Sequence, residues 1–486
     1  MARPFDGEAP APAGDVLHEA CGVTGIYAPG YDVARLAYFA LYALQHRGQE
    51  SAGIAVSDGG SIVCYREMGL LSSIFDEEIL SRLTGYIATG HTRYSTTGSS
   101  VVVNAQPLLE STELGEFAIA HNGNLTNTEE LRTKLSPTTV LAATSDSEVL
   151  AKLIVEAPQE TLVGRIRHVM DVAEGAYSVV LSTNKALYGF RDPWGVRPLC
   201  YGTLPGGGYV IASESCALAT VDATYVREIE PGEIVWIDAE GLHLEPPINV
   251  RSPALCMFEY IYFARPDSLL RGRSIYTARM AMGRALAREH PADADVVMAV
   301  PDSAIPGGIG FAAESGLPYV EGLIKNRYIG RTFISPDQKM RSSGVHLKFN
   351  PIVENLENRR VVVVDDSIVR GTTTPRIVSL LRQAGAREVH VRITSPPIIN
   401  PCYLGVDMAT HDELIAANLT IPEICRKIGA DSLGYLSKEA LVAATGRRRD
   451  EMCLGCLTGE YPETAKPVVE HLPTVIHRQQ PVAARA

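Results

Sequence analysis

Short β-like apolar runs dominate the first half of the chain, whereas longer Val/Ile-rich runs alternate with helical spacing in the second. From residue 21 to about residue 238, GVTGIYA, AGIAVS, YIATGHTRY, EFAIAHNG, YSVVLST and GEIVWIDA each have the length and composition of a strand. Two helical stretches interrupt them, VARLAYFALYALQHR and the segment near EVLAKLIVEA. The mix predicts antiparallel sheets covered by helices. Three prolines in LEPPINVRSP, residues 244–253, break the pattern and mark a domain junction. Beyond it, DVVMAV, RVVVVDD and EVHVRITS read as buried strands, and TARMAMGRALAREH and TPRIVSLLRQAGA as helices, which predicts a parallel α/β sheet. Residues 1–20 and the stretch from about 463 to 486 are Pro-rich and aperiodic, so both ends are expected to be loosely held.

The length of 486 residues suits two or three compact units, and 46% apolar content supplies large cores. Lys and Arg total 44 against 56 Asp and Glu, a net charge of −12 that disfavours nucleic acid and anionic lipid as general partners. No run of about 18 apolar residues occurs, and residues 1–20 lack the charged start and apolar block of a secretory signal. A cytoplasmic protein with no membrane partner is expected. Nine irregularly spaced cysteines argue for metal ligation, catalysis or burial rather than a disulfide framework.

The most specific segment is VVVVDDSIVRGTTT, residues 361–374, ahead of PRIVSLLRQAGA. A β-branched strand delivers Asp365, Asp366, Ser367, Arg370, Gly371, Thr372, Thr373 and Thr374 to a helix start, with Thr374 suited to the N-cap and Pro375 to the first helical position. N–H groups there, with threonine hydroxyls beside them, hold phosphate, and the two acids take ribose hydroxyls or a magnesium ion. The segment resembles the phosphoribosyl-diphosphate signature of the type I phosphoribosyltransferases. RGTTT replaces the Thr-Gly-Gly-Thr core of many members, which places it nearer one branch of that superfamily than its centre. DVVMAVPDSAIPGGIGFA adds Pro301, Asp302 and Ser303 at a strand end, followed by Gly307 and Gly308. The resemblance implies that this loop lies by the diphosphate and that Ser303, Asp365 and Asp366 serve Mg2+. Residues 325–351 concentrate Lys325, Arg327, Arg331, Lys339, Arg341, Lys348 and the partly charged His346 around one acid, Asp337. That is a trap for a multiply charged anion, and by resemblance the loop that closes over substrate.

Cys21 opens the first β-like run, and QHRGQESAGIA (45–55), GHTRYSTTG (90–98), AHNGNLTN (120–127) and TSDSE (144–148) follow in order. Together these resemble the glutaminase domain of the N-terminal-nucleophile amidotransferases over residues 21–250. A thiolate is the reactive species, and a free α-amine of pKa about 7.7 to 8.0 accepts its proton. Removal of residues 1–20 is therefore expected, since an amide nitrogen at Cys21 has no basic lone pair. The resemblance further implies that Arg93 binds the glutamine carboxylate, that Asp146 takes its α-ammonium, and that Asn122 and the Gly123 N–H form the oxyanion hole.

Cys453 and Cys456 form a CxxC pair, open on spacing alone to zinc, redox or structural readings, and Cys256 and Cys402 have no close partner in sequence. The four positions match glutamine phosphoribosyl-diphosphate amidotransferases that carry a 4Fe-4S cluster; four thiolates also suit zinc. The cluster would staple the C-terminal segment to its domain rather than carry electrons. Cys64, Cys200, Cys216 and Cys425 are assigned to packing. The resemblance spans residues 21–465. It implies an α/β and α+β two-domain fold: an αββα glutaminase sandwich over 21–250, a type I phosphoribosyltransferase parallel-sheet domain over 251–465, and a flexible tail over 466–486.

The implied reaction hydrolyses glutamine at Cys21 and passes ammonia to C1 of phosphoribosyl diphosphate, giving 5-phosphoribosylamine, diphosphate and glutamate as the first step of purine synthesis. EYIYFARPDS, residues 259–268, is the candidate passage lining and domain contact. A homotetramer inhibited by purine nucleotides is the family expectation. Two other readings stand beside it. An amidotransferase with another acceptor is disfavoured by residues 361–374, and a non-catalytic phosphoribosyl-diphosphate sensor by the joint presence of Cys21, Arg93, Asn122 and Asp146.

Overall fold

A computed structural model describes residues 21–94, 100–247, 251–326, 349–406, 408 and 410–462. The leader, the end of GHTRYSTTG, the cationic loop from Arg327 to Lys348 and the tail from 463 onward lie outside the described residues.

Two antiparallel sheets stack in the first half. One has seven strands in the order Thr224–Glu228, Cys200–Thr203, Tyr209–Ala212, Gly22–Tyr27, Ile87–Arg93, Ser51–Ser57, Ile62–Met68. The other has six, in the order Gly241–Glu245, Ile234–Asp238, Leu187–Arg191, Gly175–Thr183, Gly115–Leu125, Leu108–Thr112. Val23, Ile87, Val180, Leu187 and Val235 fill the space between them. Helices Val33–Ala43 and Ser215–Thr220 cover the outside of the first sheet, and Asp146–Glu156 and Leu162–Val172 that of the second. This αββα order explains the sequence pattern. Strands Gly22–Tyr27 and Ile87–Arg93 are covered on both faces and buried throughout, whereas edge strand Ile62–Met68 alternates half-buried and exposed positions.

Besides the two predicted helices, the first half forms Glu77–Arg82, Thr128–Lys134, Leu162–Val172 and Ser215–Thr220. Three of these are too short to show a helical period. Leu162–Val172 contains Gly164 and buries only Arg165, Ile166, Val169 and Met170, but Thr161 caps it by accepting the Gly164 N–H at 3.1 Å.

In the second half, Val296–Ala299, Arg360–Asp365, Glu388–Ile393 and Ser432–Tyr435 pair in that order as a parallel sheet. Helices Ile275–Glu289 and Ile305–Ser315 pack on one face, Thr374–Gln383 and Ile421–Ile428 on the other. The first pair approaches closely because it carries glycines: a Cβ on Gly283 would stand 1.9 Å from the Gly307 carbonyl, and one on Gly310 2.1 Å from that of Met280. Parallel strands bring their carboxyl ends to one edge, where ligand crevices form. Asp365 and the loop 300–304 lie there. The halves share a core in which Ala176 and Val196 meet Met257, Phe258 and Ile261. No helix among the described residues is long and apolar enough to cross a membrane.

Candidate active site

Cys21 directly precedes strand Gly22–Tyr27, which pairs with Ile87–Arg93 so that Gly22 faces Thr92. Its thiol is buried and donates to the Tyr94 carbonyl at 3.4 Å. Burial pushes the thiol pKa up, the nearby Arg93 guanidinium opposes this, and the Glu50 and Asp146 carboxylates reinforce it. One electrostatic neighbourhood thus gathers Cys21, Arg93 and Asp146. Arg93 is buried at its strand end, 3.8 Å from Glu50. Asp146 starts helix Asp146–Glu156 and accepts the Leu125 N–H at 2.9 Å.

Asn122 and Gly123 lie on strand Gly115–Leu125 of the facing sheet. The two sheets are tied beside them where His91 Nε2 meets the His121 carbonyl at 3.2 Å. Asn122 is fully buried, and neither its amide nitrogen nor its oxygen has a protein partner. Gly123 has φ +155, and a Cβ there would stand 1.9 Å from the Ala176 carbonyl and 2.9 Å from His121 Nε2. Sequence reading missed Glu50, and also the unpartnered hydroxyls of Ser51, Thr92 and Ser145. Serine and threonine inside strands or at helix caps carry no distinguishing local signal.

In the second half, a cavity of about 340 Å³ is lined by Ser303, Asp365, Asp366, Ser367, Thr373 and Thr374, as the sequence predicts, and by Arg279, Lys325 and Tyr262. Asp366 is buried and accepts from the hydroxyls of Ser303 and, at 2.7 Å, Ser367. Burial raises its carboxyl pKa, against the pull of these hydroxyls and of Arg279. A buried acid beside two hydroxyls and a second carboxylate is an all-oxygen donor set of the kind magnesium takes.

Arg370, Gly371 and Thr372 do not line the cavity. Arg370 pairs with Glu413 at 3.2 Å, and Gly371, with φ +71, turns the chain where a Cβ would meet Ile415 at 2.4 Å. The expected cap is also displaced by one residue. Thr373 is the N-cap, Thr374 begins helix Thr374–Gln383, and Pro375 follows in its first turn, because the turn at Gly371 brings the chain into helical geometry one residue early. Lys325 alone of the cationic loop's named residues is described, and its ammonium meets Asp302 at 2.5 Å.

Between the sites stands residue 259–268, the predicted contact segment. Glu259–Phe263 forms a buried π-helical turn, and Tyr262, Phe263, Ala264, Arg265 and Pro266 face the cavity. Glu259 binds Arg47 at 2.7 and 2.9 Å, and Arg47 Nε donates to the Cys21 carbonyl at 3.2 Å. Burial works against the Arg47 charge, and Glu259 and Glu214 more than restore it.

Cys256 and Cys453 are partners in a two-stranded parallel ladder. The Cys456 carbonyl accepts the N–H groups of Ile399 and Asn400 at 3.0 and 3.1 Å, which draws in the segment carrying Cys402. Burial raises the Cys456 thiol pKa well above the usual range, and Cys402, Cys453 and Cys256 each add to it, so the four sulfurs feel one another. Burial likewise lifts Cys256 to about 11. Cys256 is buried and Cys402, Cys453 and Cys456 are half-buried, so four thiols from three segments form one sulfur-rich neighbourhood of the donor type that iron-sulfur centres use. Among the described residues, no three His, Cys, Asp or Glu side chains gather as ligands of a single metal ion. The carbonyl of Tyr403, beside Cys402, accepts the Asn124 side-chain N–H at 3.0 Å, on strand Gly115–Leu125.

Residues 91–220 match the family model described as a glutamine amidotransferase domain. With a parallel acceptor sheet behind it, the chain falls in the class of glutamine-dependent transferases. Amidophosphoribosyltransferases are similar over nearly its whole length: that of Synechococcus elongatus is 52% identical over 92% of either chain, and that of Methanocaldococcus jannaschii 51% identical over 91% of this chain and 97% of its own. The Bacillus subtilis glutamine phosphoribosylpyrophosphate amidotransferase, solved with ADP and GMP, superposes with a TM-score of 0.86 at 45% identity, covering 91% of this chain and 97% of that one. The chain belongs to the amidophosphoribosyltransferase family, glutamine-dependent pentosyltransferases that open purine synthesis.

Proposed function

We propose that Cys21, made the first residue by removal of residues 1–20, attacks the side-chain amide of glutamine. Its freed α-amine takes the thiol proton, which burial otherwise keeps on sulfur. Arg93 receives the substrate carboxylate and Asp146 the α-ammonium, while Asn122 and the Gly123 N–H stabilise the tetrahedral oxygen. The amine returns its proton to the departing ammonia, and water then releases glutamate from the thioester. The observation that carries this reading is the fully buried Asn122 amide, both of whose polar atoms lack a protein partner, on the sheet that faces the Cys21 strand.

Ammonia stays neutral along an apolar passage past Tyr262 and Phe263 and attacks C1 of phosphoribosyl diphosphate, and diphosphate leaves. Asp365 and Asp366 hold the ribose hydroxyls, and Ser367, Arg370, Gly371, Thr372, Thr373 and Thr374 form the phosphate loop. Ser303, Asp365 and Asp366 would hold Mg2+, which neutralises charge on the diphosphate. The domains run 21–250 and 251–465, with the cationic loop closing over the sugar phosphate.

Cys256, Cys402, Cys453 and Cys456 would hold a 4Fe-4S cluster that ties the C-terminal segment to its domain. Anaerobically purified protein should contain iron and sulfide in equal amounts; zinc in their place would contradict this. None of the nine cysteines is in a disulfide, which accords with the cytoplasm. A homotetramer under purine-nucleotide control completes the reading, supported by the ADP and GMP in the Bacillus relative.

The test is Cys21→Ala. Glutamine-dependent product should vanish while ammonia-dependent product persists, and loss of both together would contradict the two-site scheme.

A further inference from the structure

Glu214 belongs to neither set of reacting groups, yet its carboxylate touches the walls of both sites. It follows strand Tyr209–Ala212, which pairs with the nucleophile's strand so that Ala212 faces Thr24. Ser213 secures the join, exchanging bonds with the Val23 backbone at 3.0 Å in both directions. The carboxylate is buried and accepts five hydrogen bonds, one of them from the neighbouring Cys216 thiol to Oε2 at 3.7 Å. Oε1 takes Arg47 Nη1 at 2.6 Å and His46 Nε2 at 2.8 Å; Oε2 takes the Arg265 N–H at 2.9 Å and the Ser268 hydroxyl at 2.7 Å.

Those donors come from two places. Arg47 holds the Cys21 carbonyl at 3.2 Å. His46 and Arg265 line the cavity that contains Asp365 and Asp366. A buried anion needs its donors, so a displacement of His46 or of the 265–268 turn must be answered at Arg47. The two arginines and two acids of the cluster, Arg47, Arg197, Glu214 and Glu259, balance in charge. Arg197 closes it by pairing with Glu259 at 3.4 Å and donating to the Leu404 carbonyl at 2.8 Å.

We propose that Glu214 is a positioning residue for glutamine-dependent transfer: through Arg47 it fixes the backbone of the nucleophile in register with the wall of the phosphoribosyl cavity, so that cysteine placement follows the arrangement of that wall. This rests on the roles proposed above for Cys21 and the cavity.

The test is Glu214→Gln, whose amide matches the carboxylate in size but offers N–H groups to donors. Glutamine-dependent and ammonia-dependent synthesis are measured on the same preparation. The ratio of the first rate to the second should fall at least tenfold, with the loss in kcat for glutamine and its KM within threefold of the parent. A parallel fall of both rates marks a purely structural ion pair and overturns the proposal, as does an unchanged ratio. Should that variant fail to fold, His46→Gln, at the half-buried rim, alters one donor only. The same ratio should then fall at least threefold, and no change overturns the proposal. Cys21→Ala run alongside separates the two failures. If it abolishes glutamine-dependent synthesis while Glu214→Gln keeps the parent ratio, the positioning role fails and the site assignment stands; if it does not, the site assignment itself fails.

Discussion

Asn122 is a buried amide whose two polar atoms have no protein partner, an arrangement that costs about 1–3 kcal/mol for each lost bond unless a ligand supplies it. Asn122→Ala should therefore lower glutamine-dependent kcat by about 10²- to 10³-fold while leaving ammonia-dependent kcat and thermal stability near the parent values, as steady-state kinetics and calorimetry would show. His91 carries a separate expectation. Burial holds its pKa down at about 3, against an ordinary 6.5. Between those values the unfolded chain binds the proton that the folded chain refuses, so this contribution is complete above pH 6.5 and is lost as pH falls toward 3. The slope is at most about 1.4 kcal/mol per pH unit. Denaturation midpoints across that range should drop less steeply in His91→Gln. Cys21, Arg93 and Asp146 could be singled out from the sequence because they fall in segments that resemble those of the N-terminal-nucleophile amidotransferases. Glu214 and Arg279 were not, because their partners lie far away in sequence and only the folded chain brings them to the site.

At the scale of elements, strands were read well because helices on the outer faces make their apolar runs continuous, as in Gly22–Tyr27. Helix Leu162–Val172 was hidden by its polar content and Gly164, and owes its place to the sheet beneath it. The crossing of Ile275–Glu289 over Ile305–Ser315 was likewise invisible, because it depends on backbones that meet through glycine. Gly283→Ala places a methyl 1.9 Å from the Gly307 carbonyl, and overpacking of that kind costs about 1–3 kcal/mol. A lower melting temperature is expected, together with weaker phosphoribosyl-diphosphate binding in titration, since the second helix follows directly on the Ser303 loop. A melting temperature equal to the parent's would show that the helices separate freely.

Over the whole molecule, the two folds are joined by charge as well as by the apolar core they share around Ala176, Val196 and Phe258. Arg271, held by Glu230 at 2.6 Å, and the Arg47–Glu259 pair both cross from one half to the other. The sequence marked the segment that makes this contact but not the ion pairs in it, since buried charges are recognised by their partners. The central claim is that nitrogen released at Cys21 reaches the sugar without entering solvent. Glutamine labelled with 15N in its amide, supplied with an excess of unlabelled ammonium at neutral pH, tests it directly through mass spectrometry of the phosphoribosylamine trapped as it forms. Internal transfer predicts label well above the share left once the ammonia-dependent rate at each ammonium concentration is allowed for; label diluted as though released and added ammonia formed one pool would contradict the account.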